Sequence, residues 1–297
     1  MADSARAKSI AHYSEKRPDL AQQLAFFEKL WSVQDEFAKK AAPYAPAPLE
    51  DLERALRNHQ TMFSLVEPTI PLDDYRDAVR AVAAVMAEAG LSGEQTAALA
   101  EVDLGDAVTA GALADALDGF DVFVQSVSDA IGDDRFTTPL LSFVLTEAMT
   151  PFLREPAKSG VEATGKFDWL QWDSGLCPAC GTPASSAVIR DEGVLQGGRR
   201  WLSCPTCRTQ WEYARIRCTR CGTRTHTDLE YLYDEEDPAH RIHICSACHG
   251  YTPVVFEREQ MAVTVPEVEE VVMVPLEAVA AERGYTPLGD DKDEMPN

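Results

Sequence analysis

The sequence predicts an α+β protein whose helices come first and whose short strands come after. Three observations predict it. Apolar residues recur at helical spacing over roughly the first 155 positions, the pattern changes to short β-type runs beyond a polar stretch near residue 160, and all eight cysteines fall between positions 177 and 248.

The helical half divides at its Pro-rich and Gly-bearing breaks. Residues 9 to 41 carry Leu20, Leu24, Phe27, Leu30 and Trp31, then Phe37 and Ala41, on a helical period, and APYAPAPLE ends that run. LEDLERALRNHQTMFSLV forms the next helical run. DDYRDAVRAVAAVMAEAG follows, with acidic residues in its first turn and Gly90 at its end. Further helices are expected at about 93–103, 106–117, 120–131 and 137–155, the last with Leu140, Val144, Ala148 and Phe152 on one face. EPAKSGVEATGKFDW then reads as a polar linker. The strand candidates are SSAVI, RRWLSC, WEYARIRC, LEYLY and PVVFE, and DEEDP (234–238) reads as a solvated turn. A final helix is expected over 266–283, kinked at Pro275, and the tail GDDKDEMPN is expected to fray.

At 297 residues and 45% hydrophobic composition the chain has enough apolar material for a real core. No run reaches the roughly 18–20 apolar residues of a membrane-spanning helix, and the first 20 residues lack the apolar block of a signal peptide, so a cytoplasmic protein without membrane insertion is expected. In a reducing cytosol, spaced cysteine pairs point to metal ligands or redox thiols before structural disulfides. The net charge of −22 argues against a general phosphate-backbone binder. Residues 177–250 hold nine Arg and nine Asp+Glu, so even this Arg-rich segment offers no net cationic surface.

The cysteines are Cys177, Cys180, Cys204, Cys207, Cys218, Cys221, Cys245 and Cys248. They form four C-x2-C pairs, and the second set of four is the first displaced by 41 residues. A C-x2-C turn presents two sulfurs to one ion while backbone N–H groups point at them, and two such knuckles complete a tetrahedral shell. The duplicated spacing favours one site from Cys177, Cys180, Cys204 and Cys207 and another from Cys218, Cys221, Cys245 and Cys248. A cross-braced set, Cys177 and Cys180 with Cys218 and Cys221, is the alternative. Four thiolates suit zinc or a single iron equally by softness and geometry. Thioredoxin-like exchange fits poorly, because it calls for one pair beside a βαβ unit. The fold class is therefore an all-α N-terminal helical domain followed by two tandem rubredoxin-like or zinc-ribbon metal modules and a C-terminal helix. The expected boundaries are 1–165, 166–212, 213–257 and 258–297.

PFLREP, LCPACGTPASSAV, GGRRWLSCPTCRTQWEYARIRCTRCG and CSACHGY together resemble the formate dehydrogenase accessory protein family, FdhE. The resemblance covers about residues 150–256 and includes Gly198, Arg199, Trp201, Trp211, Arg215 and Tyr251 beside the cysteines. His249 departs from it, standing where the family often has Gly. The resemblance implies a maturation factor or chaperone and no enzyme of its own, acting on the catalytic subunit of respiratory formate dehydrogenase. It also implies rubredoxin-type iron ahead of zinc in both four-cysteine sites.

Rival readings are a zinc-ribbon nucleic-acid or transcription adaptor and a rubredoxin-like electron-transfer protein. Arg199, Arg200, Arg208, Arg215, Arg217, Arg220 and Arg224 interleave with Trp201, Trp211 and Tyr213, a pattern open to base stacking, to a protein interface or to module-core packing. His243 and His249 flank the last cysteine pair and are expected as hydrogen-bonding neighbours, not ligands. His12, His59, His226 and His240 have no companion at ligand spacing and read as surface residues.

Overall fold

The computed structural model describes residues 2–91, 93–117, 119–191 and 197–289. Its helices are α1 (Ala2–Lys16), α2 (Ala21–Ala38), α3 (Leu49–Arg57), α4 (Leu72–Glu88), α5 (Glu94–Glu101), α6 (Ala110–Asp115), α7 (Phe120–Ile131) and α8 (Thr138–Ala163). The strands follow as β1 (Ser186–Arg190), β2 (Arg199–Ser203), β3 (Gln210–Tyr213), β4 (Leu229–Asp234), β5 (Asp237–Cys245) and β6 (Tyr251–Phe256), and α9 (Pro266–Glu282) closes the chain. Two compact units result, and they do not follow chain order. One combines residues 1–24, 48–62 and 164–297; the other combines 25–47 and 63–163.

The second unit is helical. α4 starts after Pro71 with Asp73 and Asp74 in its first turn, where carboxylates oppose the helix dipole, and α7 ends on Gly132 in the left-handed conformation. Buried Tyr75 donates its hydroxyl to the Leu145 carbonyl at 3.0 Å. Gln34 Nε2 donates to the Glu147 carbonyl at 2.8 Å, and Arg154 reaches Gln34 Oε1 at 2.7 Å and Asp35 at 2.9 Å. α8 runs on to Ala163 through Pro151 and Pro156, so the expected linker is helical over much of its length. Its buried Met149, Phe152, Leu153 and Ala157 hold that extension despite the two missing N–H donors.

In the first unit the strands form one six-stranded sheet of order β3-β2-β1-β6-β5-β4. Neighbouring strands are antiparallel except β1 and β6, which pair in parallel through Ala187↔Val254 and Val188↔Val255. The tandem modules thus share a single sheet, joined at its centre. The sequence repeat reappears in the pairing: moving Arg200↔Tyr213 of β2–β3 on by 41 gives Arg241↔Val254, a pair present in β5–β6. The β1–β2 register is not repeated, because Ile244 faces Glu230 and not residue 227. A short helical turn, His226–Asp228, occupies the start of the would-be strand.

α9 covers the sheet through Met273 and Ala280, which pack with Ile242, Ile244, Tyr251 and Val255. Burying each large aliphatic side chain of this kind contributes roughly 1.5–3 kcal/mol. The helix passes through Pro275 as one element. β5 was not expected as a strand; it starts at Asp237 directly after the exposed turn Glu235–Glu236, which is the solvated turn expected of DEEDP, and it buries Ala239, His240, Ile242 and Ile244. The helix expected from residue 49 stops at Arg57. His59 takes a positive φ of 56°, and the chain turns so that the Met62 N–H reaches the Pro178 carbonyl at 2.9 Å. WEYARIRC is extended only to Tyr213. The acidic tail after Gly289 lies outside the described residues.

His240 is also placed differently from expectation, buried between three elements instead of at the surface. Its Nδ1 meets Asp237 Oδ2 at 2.9 Å and its Nε2 meets Glu269 Oε2 at 2.9 Å, while the Tyr13 hydroxyl donates to the same Glu269 oxygen at 2.8 Å. The network ties α1, β5 and α9 together. Sequence spacing gave no sign of it, since Tyr13 and Glu269 stand 256 positions apart. Burial alone lowers the imidazole pKa, but the hydrogen bonds and charges of Asp237 and Glu269 outweigh it and raise the value to about 9. Because the folded value exceeds the unfolded one, this stabilisation is fully present below about pH 6.5 and is lost as the pH rises through about 9. We expect His240 to contribute up to about 3 kcal/mol at pH 6, so that urea midpoints fall between pH 6 and 9.5 and H240A flattens that dependence. An unchanged slope in H240A would refute the assignment.

Candidate metal centres

The repeat sets four turns of one geometry. In each, the N–H of the first cysteine donates to the carbonyl five residues on: Cys177 to Thr182, Cys204 to Thr209, Cys218 to Thr223 and Cys245 to Gly250, all at 2.9 Å. The residue after the second cysteine is left-handed every time, with φ of 81° at Gly181, 62° at Arg208, 71° at Gly222 and 53° at His249. Glycine takes that conformation without steric cost, whereas a side chain there costs about 1–2 kcal/mol. Arg208 and His249 bear it where each closing knuckle forms the tip of a hairpin, β2–β3 or β5–β6, and the hairpin fixes the turn.

These turns bring the cysteines together in the sequential arrangement and not the cross-braced one. The ligand atoms of Cys177, Cys180, Cys204 and Cys207 lie within 4.8 Å of one another, as do those of Cys218, Cys221, Cys245 and Cys248. The sulfur separations are 3.4 Å for Cys177–Cys207, 3.5 Å for Cys180–Cys204, 3.7 Å for Cys218–Cys248 and 3.8 Å for Cys221–Cys245. A tetrahedron with sulfur about 2.3 Å from its centre has edges of about 3.8 Å, whereas a disulfide closes to about 2.05 Å. Each cluster therefore has the dimensions of a four-thiolate shell and can hold one metal ion. No histidine belongs to either: His249 is exposed, and His243 is buried beside the Tyr231 ring at 5.0 Å. Burial, with the Arg200 charge, lowers the His243 pKa to about 3, so its ring is neutral.

Backbone N–H groups point at sulfur, from Cys207 to Cys204 Sγ at 3.4 Å and from Arg220 to Cys218 Sγ at 3.3 Å. The Thr182 and Thr209 hydroxyls stand 3.3 and 3.1 Å from Cys180 Sγ and Cys207 Sγ. Within the first cluster, hydrogen bonds from Cys177, Cys204 and Cys207 hold the Cys180 thiol well below its ordinary pKa, while burial pushes Cys177 and Cys204 well above theirs. In the second, the Cys248 hydrogen bond brings Cys218 down to about 5. Burial raises Cys245 to about 11, and the bond to Cys218, with burial, drives Cys248 upward. On their own, the thiols in each cluster compete for one negative charge; a bound cation is what lets all four ionise.

The arginines of this region do not form a free cationic strip. Arg199 pairs with Glu212 at 3.2 Å, Arg208 with Glu270 at 3.2 Å, and both Arg217 and Arg224 with Asp173. Arg200 and Arg220 are buried. Trp211 is wholly buried and donates to the Ser174 carbonyl at 3.0 Å, so it packs the module and anchors no partner. The sequence reading missed the supports around the knuckles. Asp173 takes both Arg217 and Arg224, and Gly175 lies so close that a Cβ there would stand 1.9 Å from the Thr219 carbonyl oxygen. The residue pair was visible as DSG, but nothing in the sequence placed it against the second opening knuckle.

Comparison with known proteins agrees with this arrangement. Residues 176–215 match the model of the FdhE central domain. An FdhE homolog from Aquifex aeolicus is 30% identical over 162 residues, 54% of this chain and 55% of its own length, and one from Pseudomonas aeruginosa is 32% identical over 164 residues, 48% of each. This chain is similar to FdhE proteins over its cysteine-bearing part. The matched stretch spans about half the length of these curated relatives. The crystal structure of the FdhE protein from Pseudomonas aeruginosa has the same fold, with a TM-score of 0.60 over 99% of this chain and 94% of that one at 21% identity. We expect G175A to cost at least about 2 kcal/mol in urea unfolding, because the clash is with the Thr219 backbone and not with a flexible side chain. A loss below about 0.5 kcal/mol would show that the 173–176 segment does not brace the second knuckle.

Proposed function

We propose that this protein is a cytoplasmic accessory factor, not itself an enzyme, that matures respiratory formate dehydrogenase by binding its catalytic subunit. Similarity to FdhE proteins over the cysteine-bearing part, together with the shared fold, supports that reading. The two four-cysteine clusters, one in 166–212 and one in 213–257, each take one metal ion through Cys177, Cys180, Cys204 and Cys207 or through Cys218, Cys221, Cys245 and Cys248. The helical segment 1–165 takes part in binding that subunit beside the two modules, and 258–297 is the C-terminal helix and tail. Among the described residues no helix is long and apolar enough to cross a membrane.

Iron is the ion the family resemblance favours, with zinc as the alternative. Iron in such a shell supplies a one-electron centre and zinc a redox-silent brace. The chain's own part is the same for both: knuckle N–H groups and threonine hydroxyls steady the thiolates, and the hairpins hold them at tetrahedral spacing. The paired and buried arginines weigh against the nucleic-acid adaptor.

Anaerobic purification should yield two ions per chain, with a reddish visible spectrum for iron. The double variant C177S/C180S should lower the content to about one, since the second cluster draws all four sulfurs from its own copy of the repeat. Pull-down with the formate dehydrogenase catalytic subunit should retain the wild-type chain. A two-ion protein that never co-purifies with that subunit would defeat the maturation reading while leaving the metal sites intact.

A further inference from the structure

The two clusters are alike in what holds the sulfurs and unlike in the charge around them. Each has three buried cysteines and one half-buried, the second of its opening knuckle, so burial does not distinguish them. Their opening knuckles differ at both interior positions, Cys-Pro-Ala-Cys in the first copy becoming Cys-Thr-Arg-Cys in the second, and only the latter change brings in a charge. Ala179 is thus replaced across the 41-residue repeat by Arg220, which is only 7% exposed.

Arg220 runs its side chain past the second cluster. A Cβ built on Gly250 would lie 2.7 Å from Arg220 Cγ and 3.1 Å from Cys248 Sγ, so Gly250 is what admits the arginine stem beside that sulfur. Nη2 of Arg220 donates to the Ala184 carbonyl at 2.9 Å, and its Nε and Nη1 have no hydrogen-bond partner. Arg200, 1% exposed, reaches the same cluster from β2: Nη1 donates at 3.0 Å to the carbonyl of Arg217, the residue before Cys218, and Nε and Nη2 are unpartnered. The arginine next to the first cluster, Arg208, is instead paired with Glu270 at 3.2 Å.

Buried guanidinium groups without carboxylate partners need a counter-charge, because desolvating a lone cation is costly. Arg220 also lines a cleft of about 340 Å³, but Glu270 and Glu277 line it too, and an incoming anion would meet both. Glu277 supplies part of the counter-charge for Arg220 from that cleft, and the thiolates of the second cluster, with Cys248 Sγ beside the arginine stem, supply the rest. Four thiols are neutral, whereas four thiolates around a divalent ion carry two net negative charges and release protons on loading. Neighbouring cations therefore favour the loaded state and draw electron density from its sulfurs.

We propose that Arg220, with Arg200, makes the second cluster the retentive metal site and leaves the first as the one that exchanges its ion and offers the more nucleophilic thiolates. This rests on each cluster holding an ion. Zinc serves as the probe. The zinc-loaded full chain, mixed with excess of a chelating dye, should release one equivalent at least about tenfold faster than the other, on the scale of a unit charge close to a partly screened site. Iodoacetamide added after the fast phase should mark Cys177, Cys180, Cys204 and Cys207. R220M and R200M should each speed the slow phase several-fold to about tenfold, and R220K should keep it slow because the charge remains. A chain that binds two zinc ions but releases both together, loses the second cluster first, or is indifferent to R220M and R200M overturns this inference alone. A chain that takes up no zinc or iron overturns the metal reading with it.

Discussion

The packing of four sulfurs into a space meant for one ion is the constraint on which the cysteine-bearing unit depends. Two thiolates about 4 Å apart repel by roughly 4 kcal/mol at an effective dielectric near 20, and each cluster contains two sulfur pairs at 3.4–3.8 Å. Without a cation the arrangement supports one thiolate and buried neutral thiols; with one, repulsion becomes coordination. The hairpins β2–β3 and β5–β6 are the parts most directly shaped by this, since each closing knuckle is a hairpin tip. That is the simplest reason why their register survives the repeat while the β1–β2 register does not.

Sheet and knuckles support each other. The parallel β1–β6 pair places the two copies side by side in one sheet, and α9 seals the β5–β6 region through Met273 and Ala280. Past α9 the chain returns to the last knuckle, where Thr286 donates to the His249 carbonyl at 2.8 Å and accepts from Tyr251 at 2.9 Å. His249 can hold its left-handed conformation without glycine because both of its flanks are tied down. On the other side, Met62 and Asp173–Gly175 brace the opening knuckles of the first and second clusters. The knuckles are thus held as well-braced turns on a single framework.

The order of elements was legible to different degrees, for identifiable reasons. The helices at 72–88 and 120–131 follow from apolar period and ordinary stops, and the structure returns them nearly unchanged. Strand β5 was hidden because its first residues belong to an acidic run and its histidines break the alternation, yet His240 is buried and its polar atoms meet Asp237, Glu269 and Tyr13. The α8 extension was hidden because Pro and Gly argue locally for a linker, while burial along the helix overrides them.

The sequence by itself determined the two four-cysteine sets, the 41-residue repeat and the helix-then-strand order, because ligand spacing and glycine placement are local requirements written in contiguous residues. Only the tertiary structure decided that the pairs close sequentially and that the two modules merge into one sheet. It alone set Tyr13, His240 and Glu269 into one buried network and Arg200 and Arg220 beside the second cluster alone. Those outcomes depend on which distant backbones come within hydrogen-bonding reach and on where burial removes water from charge, and neither is fixed by spacing along the chain.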